Sequence, residues 1–159
     1  MRVIAGTLKG RRLRTPTWSD LRPTSDKLRE TLFNILAPRT TDATVLDVYA
    51  GTGALGIEAL SRGARSVVFV EDDRRAQALI SENLTLCGFE NGCAIIRTKA
   101  ARALEQLVRS AHEPFDIVLL DPPYAPESRL GFESILTEVA RVLAPTGLAV
   151  LEQIGRAHV

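Results

Sequence analysis

Two short stretches of this chain carry residue types that do chemistry. The first is Asp121-Pro122-Pro123-Tyr124. Two consecutive prolines fix the backbone, so a carbonyl points in one direction. Asp121 adds a second hydrogen-bond acceptor and Tyr124 a flat face. Two acceptors and an aromatic platform suit one task, gripping a planar base by its exocyclic amine. Stacking of this kind is worth roughly 1–3 kcal/mol per base. Such an amine is a poor nucleophile because its lone pair is delocalised into the ring. Hydrogen bonds from its N–H groups to the Asp121 carboxylate and the Pro122 carbonyl would localise that lone pair, and positioning favours in-line attack. The plain alternative is a proline-stiffened loop with a chance Asp and Tyr.

The second stretch is Asp47-Val48-Tyr49-Ala50-Gly51-Thr52-Gly53-Ala54-Leu55-Gly56. Glycines let a backbone turn tightly and approach a ligand at a helix N-terminus. Glu71 follows twenty residues after Gly51. An acid at that spacing can accept hydrogen bonds from the ribose hydroxyls of a nucleoside cofactor. Taken literally, Gly51, Gly53 and Gly56 with Glu71 fit a dinucleotide fingerprint and a nicotinamide oxidoreductase. Asp47 argues against that. Its carboxylate, four residues before Gly51, would repel a pyrophosphate but suits a cationic sulfonium and an amino acid moiety. Tyr49, in the same turn, and Asp72, beside Glu71, complete the candidate cofactor set.

The elements that must position these stretches follow from periodicity. Val45–Val48, Ser66–Val70, Ala94–Ile96, Phe115–Leu120 and Leu148–Leu151 read as short apolar strands. Helical patterns lie between them, the last through Ile135, Leu136, Val139 and Leu143, closed by Pro145 and Gly147. Continuous apolar strands in regular alternation with helices predict an α/β fold, a doubly wound, mostly parallel sheet covered on both faces. Ahead of it, Val3 to Leu13 reads as a hairpin, and Pro16 to Pro23 as a loop. A helix then starts at Thr24, Ser25 or Asp26, with Leu28, Leu32, Ile35 and Leu36 as its inner face and Pro38 as its stop. Residues 1–39 are expected to form a basic extension and 40–159 the α/β domain.

Composition narrows the setting. The chain has 159 residues, 45% hydrophobic and 25% charged, enough for a core without staples. No apolar run approaches the ~20 residues that span a bilayer. The first ten residues hold no continuous apolar segment of the signal-peptide kind. Two cysteines, Cys87 and Cys93, are too few for a zinc site, so no metal is expected and both are expected to be reduced thiols in a cytoplasmic protein. The net charge of +1 hides an asymmetry: residues 1–39 hold nine basic and three acidic groups, and the rest of the chain is net acidic. A basic arm suggests an anionic partner, against the plain alternative of a solvated positive face.

The Asp121–Tyr124 tetrapeptide resembles the motif of methyltransferases that act on exocyclic amines of bases, and Asp47 through Gly53 resembles motif I of class I S-adenosylmethionine-dependent methyltransferases. With Arg2–Gly6, Lys9-Gly10-Arg11, Arg22-Pro23-Thr24, Arg29-Glu30, Leu32–Asn34 and Glu58–Ala64, the chain from Arg2 to about Glu152 resembles the bacterial 16S ribosomal RNA guanine-N2 methyltransferase family. The resemblance implies that Asp47, Gly51, Gly53 and Glu71 hold S-adenosylmethionine, released as S-adenosylhomocysteine. It implies that Asp121, Pro122 and Tyr124 hold the guanine amine. Arg22 and Thr24 would sit at the pocket rim, and Lys9, Arg11, Arg12 and Arg14 on the backbone of rRNA or of a small-subunit assembly particle. The base would have to be flipped out to reach the site. An N6-adenine methyltransferase and an inactive RNA-binding relative are the alternatives.

Two departures stand out. Thr98-Lys99-Ala100-Ala101 offers no acid or amide for the cofactor adenine, so that contact is expected from the backbone or is absent. After Leu151 only eight residues remain, where the superfamily usually adds a hairpin of about 25–30 residues. The expectation is therefore a missing C-terminal hairpin, with the edge of the last strand bare or masked by a partner chain or by self-association.

Overall fold

A computed structural model of the chain describes residues 1–19, 21, 24–122 and 129–152. Five strands, β1 (Thr44–Val48), β2 (Ser66–Val70), β3 (Cys93–Ile96), β4 (Phe115–Leu120) and β5 (Leu143–Leu151), form one sheet in the order β3-β2-β1-β4-β5. Every pairing is parallel. The central strands β1 and β4 are buried almost throughout, as strands covered on both faces must be. Their side chains alternate between two cores. Val45, Val67, Phe69, Ile117 and Leu119 face one layer, with α2 (Ala54–Ser61) and α3 (Arg74–Leu86). Leu46, Val48, Val68, Val118 and Leu120 face the other, with α4 (Ala100–Arg109) and α5 (Arg129–Val142). This is the doubly wound α/β architecture that the alternation predicted.

The N-terminal segment differs in detail. Val3 to Leu13 does not form two strands. A single antiparallel bridge, Arg2 to Arg12, closes it, with Val3 N donating to Arg11 O (2.8 Å) and Leu13 N to Met1 O (3.0 Å). The rest is turn, because its amides are taken by α2 rather than by a facing strand. Ile4 N and Ala5 N donate to the two carboxylate oxygens of Glu58 (2.9 and 3.1 Å). Thr7 N donates to Ser61 O (2.8 Å), and Leu8 N to Ser61 Oγ (3.0 Å). Val3 and Leu13 join the same core as Val45 and Ile117.

The helix α1 (Asp26–Thr40) is capped by Ser25, whose Oγ accepts from Leu28 N (3.1 Å). Its inner face is only partly the expected one: Leu36 is buried and Leu32 packs on the core. Arg29, Phe33, Leu36 and Thr40 are buried, while Leu28 and Ile35 are exposed. The sequence holds two apolar stripes at helical spacing, and Arg29 disguises the inner one. Its guanidinium is buried because Nη2 donates to Arg2 O (2.8 Å) and to Asp26 Oδ1 (2.5 Å). Pro38 lies inside the last turn rather than ending it; the helix runs to Thr40, whose hydroxyl donates to Leu36 O (2.9 Å). Leu143 likewise belongs to β5, not to the helix before it. It pairs with Phe115, and the register then slips so that Leu148 meets Ile117. Pro145 sits in that irregular stretch, where its missing N–H is tolerated.

Candidate active site

In an open parallel sheet, ligands bind beyond the carboxyl ends of the strands, where strand order reverses. Here that point lies between β1 and β4, and both sequence motifs emerge there. The turn after β1 is left-handed three times, at Tyr49 (φ 61°), Gly51 (φ 58°) and Gly53 (φ 82°). Glycine supplies two of these without strain. Tyr49 does so at an energetic cost, a feature that clusters at functional sites.

The turn is held from several sides. Ala50 N donates to Val70 O (2.9 Å) and Gly51 N to Glu71 Oε1 (2.8 Å). Ala54 N donates to Thr52 Oγ1 (3.2 Å) and Gly56 N to Asp47 Oδ2 (3.1 Å). Asn83 Nδ2 donates to Thr52 O (3.1 Å) from α3. Asp47 is thus a buried brace at the start of α2. Burial pushes its carboxyl well above the usual carboxylate range; the Gly56 amide opposes this, and the charges of Asp121 and Glu71 add to it.

Glu71 also holds backbone. Its Oε2 accepts from Asp73 N (3.0 Å), so both oxygens bind amides while keeping further acceptor capacity. Burial raises its carboxyl, against the Asp73 and Gly51 amides, with Asp72 and Asp73 adding repulsion. Asp72 is exposed and close enough to raise the half-buried Tyr49 phenol, after burial itself. The expected cofactor residues Tyr49, Gly51, Gly53, Glu71 and Asp72 therefore gather in or around one turn, braced by buried Asp47.

Asp121 follows β4 and is half-buried. Its Oδ2 accepts from Thr24 Oγ1 (3.4 Å); burial raises its carboxyl and Thr24 opposes this. Thr24, expected at the rim, is therefore tied to the acid at the centre. Pro122 follows directly. Tyr124 and Arg22 lie outside the described residues, as does Pro123.

One acid was missed. Glu152 follows β5 as Asp121 follows β4, and its N donates to Leu120 O (2.8 Å). Burial raises its carboxyl, the Asp121 charge raises it further, and the Thr24 hydroxyl opposes both. The signal was present in the sequence, an acid directly after an apolar strand, but it carried no motif.

Two described residues before α1 pack nearby. The Arg75 guanidinium stacks on Trp18 at 4.8 Å, and Leu21 packs on the turn, its Cδ1 only 3.1 Å from where a Cβ on Gly51 would stand. Farther out, Lys9, Arg11, Arg12 and Arg14 are exposed on the docked arm. Arg11 Nη1 donates to Leu86 O (3.1 Å), and Arg14 is pinned through its backbone, its N donating to Asn83 Oδ1 (2.8 Å). The arm thus presents its cations from a fixed backbone. Among the described residues no cluster could hold a metal ion, Cys87 and Cys93 are free, and no helix is long and apolar enough to cross a membrane.

The family described as conserved hypothetical protein 95 matches residues 1–159. A protein of Bacillus subtilis (strain 168), provisionally named rRNA methyltransferase YlbH, is 37% identical over 152 residues, covering 96% of this chain and 82% of its own. Ribosomal RNA small subunit methyltransferase D of Escherichia coli (strain K12) is 42% identical over 124 residues, covering 78% of this chain. The match spans 60% of that relative's length. Among solved structures, a hypothetical protein of Thermus thermophilus matches with a TM-score of 0.82 at 31% identity, over 95% of this chain and 84% of that one.

Proposed function

Because the chain belongs to the conserved hypothetical protein 95 family, a family of class I S-adenosylmethionine-dependent rRNA methyltransferases, we propose that it methylates the exocyclic N2 amine of a guanine in small-subunit (16S) ribosomal RNA. The observation that carries this reading is the placement of Asp121 and Pro122 at the switch point beside the Gly51–Gly53 turn, with Thr24 fixing the Asp121 carboxylate.

The residues around the turn suit the cofactor. S-adenosylmethionine, when bound, supplies an electrophilic methyl group on a sulfonium. The sulfonium and the α-ammonium are cations and the ribose hydroxyls are donors, so acceptor-only carboxylates match them. Glu71 and Asp72, after β2, would meet the ribose, and buried Asp47 would brace the turn through Gly56 N. Tyr49 closes one side.

On the substrate side, Asp121 and the Pro122 carbonyl accept the two amine N–H groups and localise the nitrogen lone pair. This lone pair would take the methyl carbon from bound S-adenosylmethionine, with the carbon–sulfur bonding pair departing on sulfur. The amine becomes acidic as positive charge develops. The Asp121 carboxylate, raised by burial, takes that proton or passes it to water. The products are N2-methylguanine and S-adenosylhomocysteine. Lys9, Arg11, Arg12 and Arg14, with Arg22, would hold the phosphate backbone while the base is flipped. Tyr124 would stack on it. Naked rRNA and a small-subunit assembly particle, both cytoplasmic, are the proposed substrates. In this reading residues 1–39 serve RNA contact and 40–159 the chemistry.

The test is incubation of the full chain with labelled S-adenosylmethionine and small-subunit rRNA or its assembly particles, followed by nucleoside analysis. N2-methylguanine supports the reading; N6-methyladenine would replace it. Asp121→Ala should lower kcat by about 100-fold or more while leaving cofactor affinity within a few-fold, since a proton-handling group typically contributes 10²–10⁴. Equal losses in both would remove Asp121 from its assigned role.

A further inference from the structure

Glu152 has no part in the mechanism above, yet it stands beside the residue that does most in it. Leu120 and Leu151 are paired in register on neighbouring parallel strands, so Asp121 and Glu152 are the next residues on each. The bond from Glu152 N to Leu120 O extends the ladder one step and fixes that relation. Neighbouring strands lie about 4.8 Å apart, so two carboxylates leave the sheet side by side. Both are half-buried, and the charge of Asp121 is felt at Glu152. Thr24 Oγ1 lies 3.4 Å from Asp121 Oδ2, and the same hydroxyl opposes the rise of the Glu152 carboxyl. A hydroxyl has one proton to give. It can satisfy only one of the two acids at a time, which leaves the other with free acceptor capacity.

We propose that Glu152 is a specificity-determining residue that selects guanine by accepting its N1–H while Asp121 and Pro122 hold the N2 amine, an inference that rests on the N2-guanine reading above. The base edges supply the reason. Guanine presents two adjacent donors, N1–H and the N2 amine, which match two adjacent acceptor-only carboxylates. Adenine presents its amine beside the N1 lone pair, and cytosine its amine beside the N3 lone pair. Either would set a lone pair against the Glu152 carboxylate. Asp121 and Pro122 grip any exocyclic amine, whereas Glu152 reads the atom next to it. A site built to bind a donor discriminates strongly against an analogue without it, because its own buried group is left unpaired.

The test compares rRNA carrying guanosine at the mapped methylation position with the same RNA carrying 2-aminopurine riboside. The analogue keeps the N2 amine but has a lone pair at N1. The wild-type chain should favour guanosine by roughly 10- to 100-fold in kcat/KM, the range of one hydrogen bond to a charged group. Glu152→Gln keeps the shape and gains an amide donor. It should lose a similar factor on guanosine and bring the ratio close to one, with S-adenosylmethionine affinity unchanged by calorimetry. Equal wild-type rates on the two RNAs, or an unchanged ratio in Glu152→Gln, would overturn the proposal; the wild-type ratio decides even if the variant fails to fold. Formation of N6-methyladenine with no N2-methylguanine on any guanosine RNA would instead remove the guanine reading itself, and this proposal with it.

Discussion

At the scale of single residues, the site is a gathering of carboxyls that burial disfavours as anions. Asp47, Glu71, Asp121 and Glu152 are all raised, chiefly by burial. Such an arrangement opposes folding when every group is charged and favours a cationic ligand. For a raised carboxyl the native state binds more protons than the unfolded chain between the ordinary and the raised pKa. Stability therefore falls as pH rises through that window. Asp73, lowered by its bonds to Arg75, acts in the opposite sense at more acidic pH. The cofactor-free protein should melt at a higher temperature in mildly acidic than in neutral buffer. Asp47→Asn, which still accepts from Gly56 N, should raise the neutral-pH melting temperature and flatten the profile. Parallel pH profiles for the two proteins, recorded by calorimetry, would contradict this account of Asp47.

Elements explain why Glu58 through Ala64 belongs with the N-terminal segment, a connection that sequence order hides. Glu58 is fully buried and accepts from two amides of the arm and from Arg62 Nε (2.8 Å). Ser61 adds its carbonyl and its hydroxyl, which also donates to Ala5 O (2.7 Å). One stretch of α2 is thus the dock for residues 4–8 of the arm. Gly6 makes the approach feasible. It has φ 87°, and a Cβ there would stand 1.9 Å from Ser61 O. No flexible side chain can yield, because the obstacle is backbone. Gly6→Ala should cost about 1–3 kcal/mol in a denaturant titration, the range of positive-φ and steric substitutions. It should also free the Ile4 and Ala5 amides to exchange with solvent before the sheet does. Retained protection at those two amides would show that the arm is held elsewhere.

Across the whole molecule, the arm and the sheet divide the work by charge. The basic residues lie on a backbone fixed to α2 and α3, and the acids lie at the carboxyl ends of β1, β2, β4 and β5. If the proposed function holds, an anionic chain would be held on the arm, and only a neutral base would have to approach the carboxylates. Affinity for rRNA should fall steeply with salt, as counterion release requires. Replacing Lys9 and Arg12 together by Ala should weaken binding to any RNA sequence alike. It should also reduce the log–log salt slope by roughly 0.7–0.9 for each phosphate no longer neutralised. Filter binding across a salt series measures this; an unchanged slope would move the RNA-binding surface off the arm.

The sequence by itself determined the architecture and the two motifs. Apolar runs alternating with helical patterns specify a parallel sheet, because strands covered on both faces must be apolar throughout. The Gly51–Gly53 turn and Asp121-Pro122 were legible for a similar reason, since their chemistry is local to a few consecutive residues. What the sequence left open depends on partners far along the chain. Arg29 reads as a surface residue until Arg2 O and Asp26 take its guanidinium into the core, and with it the inner face of α1 turns away from Leu28 and Ile35. Thr24 reads as a rim residue until the fold places it on Asp121, and Glu152 has no meaning until the register of β4 and β5 sets it next to that acid. Periodicity records which residues are apolar and motifs record neighbours in sequence. Only the tertiary structure brings together groups 97 residues apart, and it is there that a carboxylate acquires its burial, its charge partner and its role.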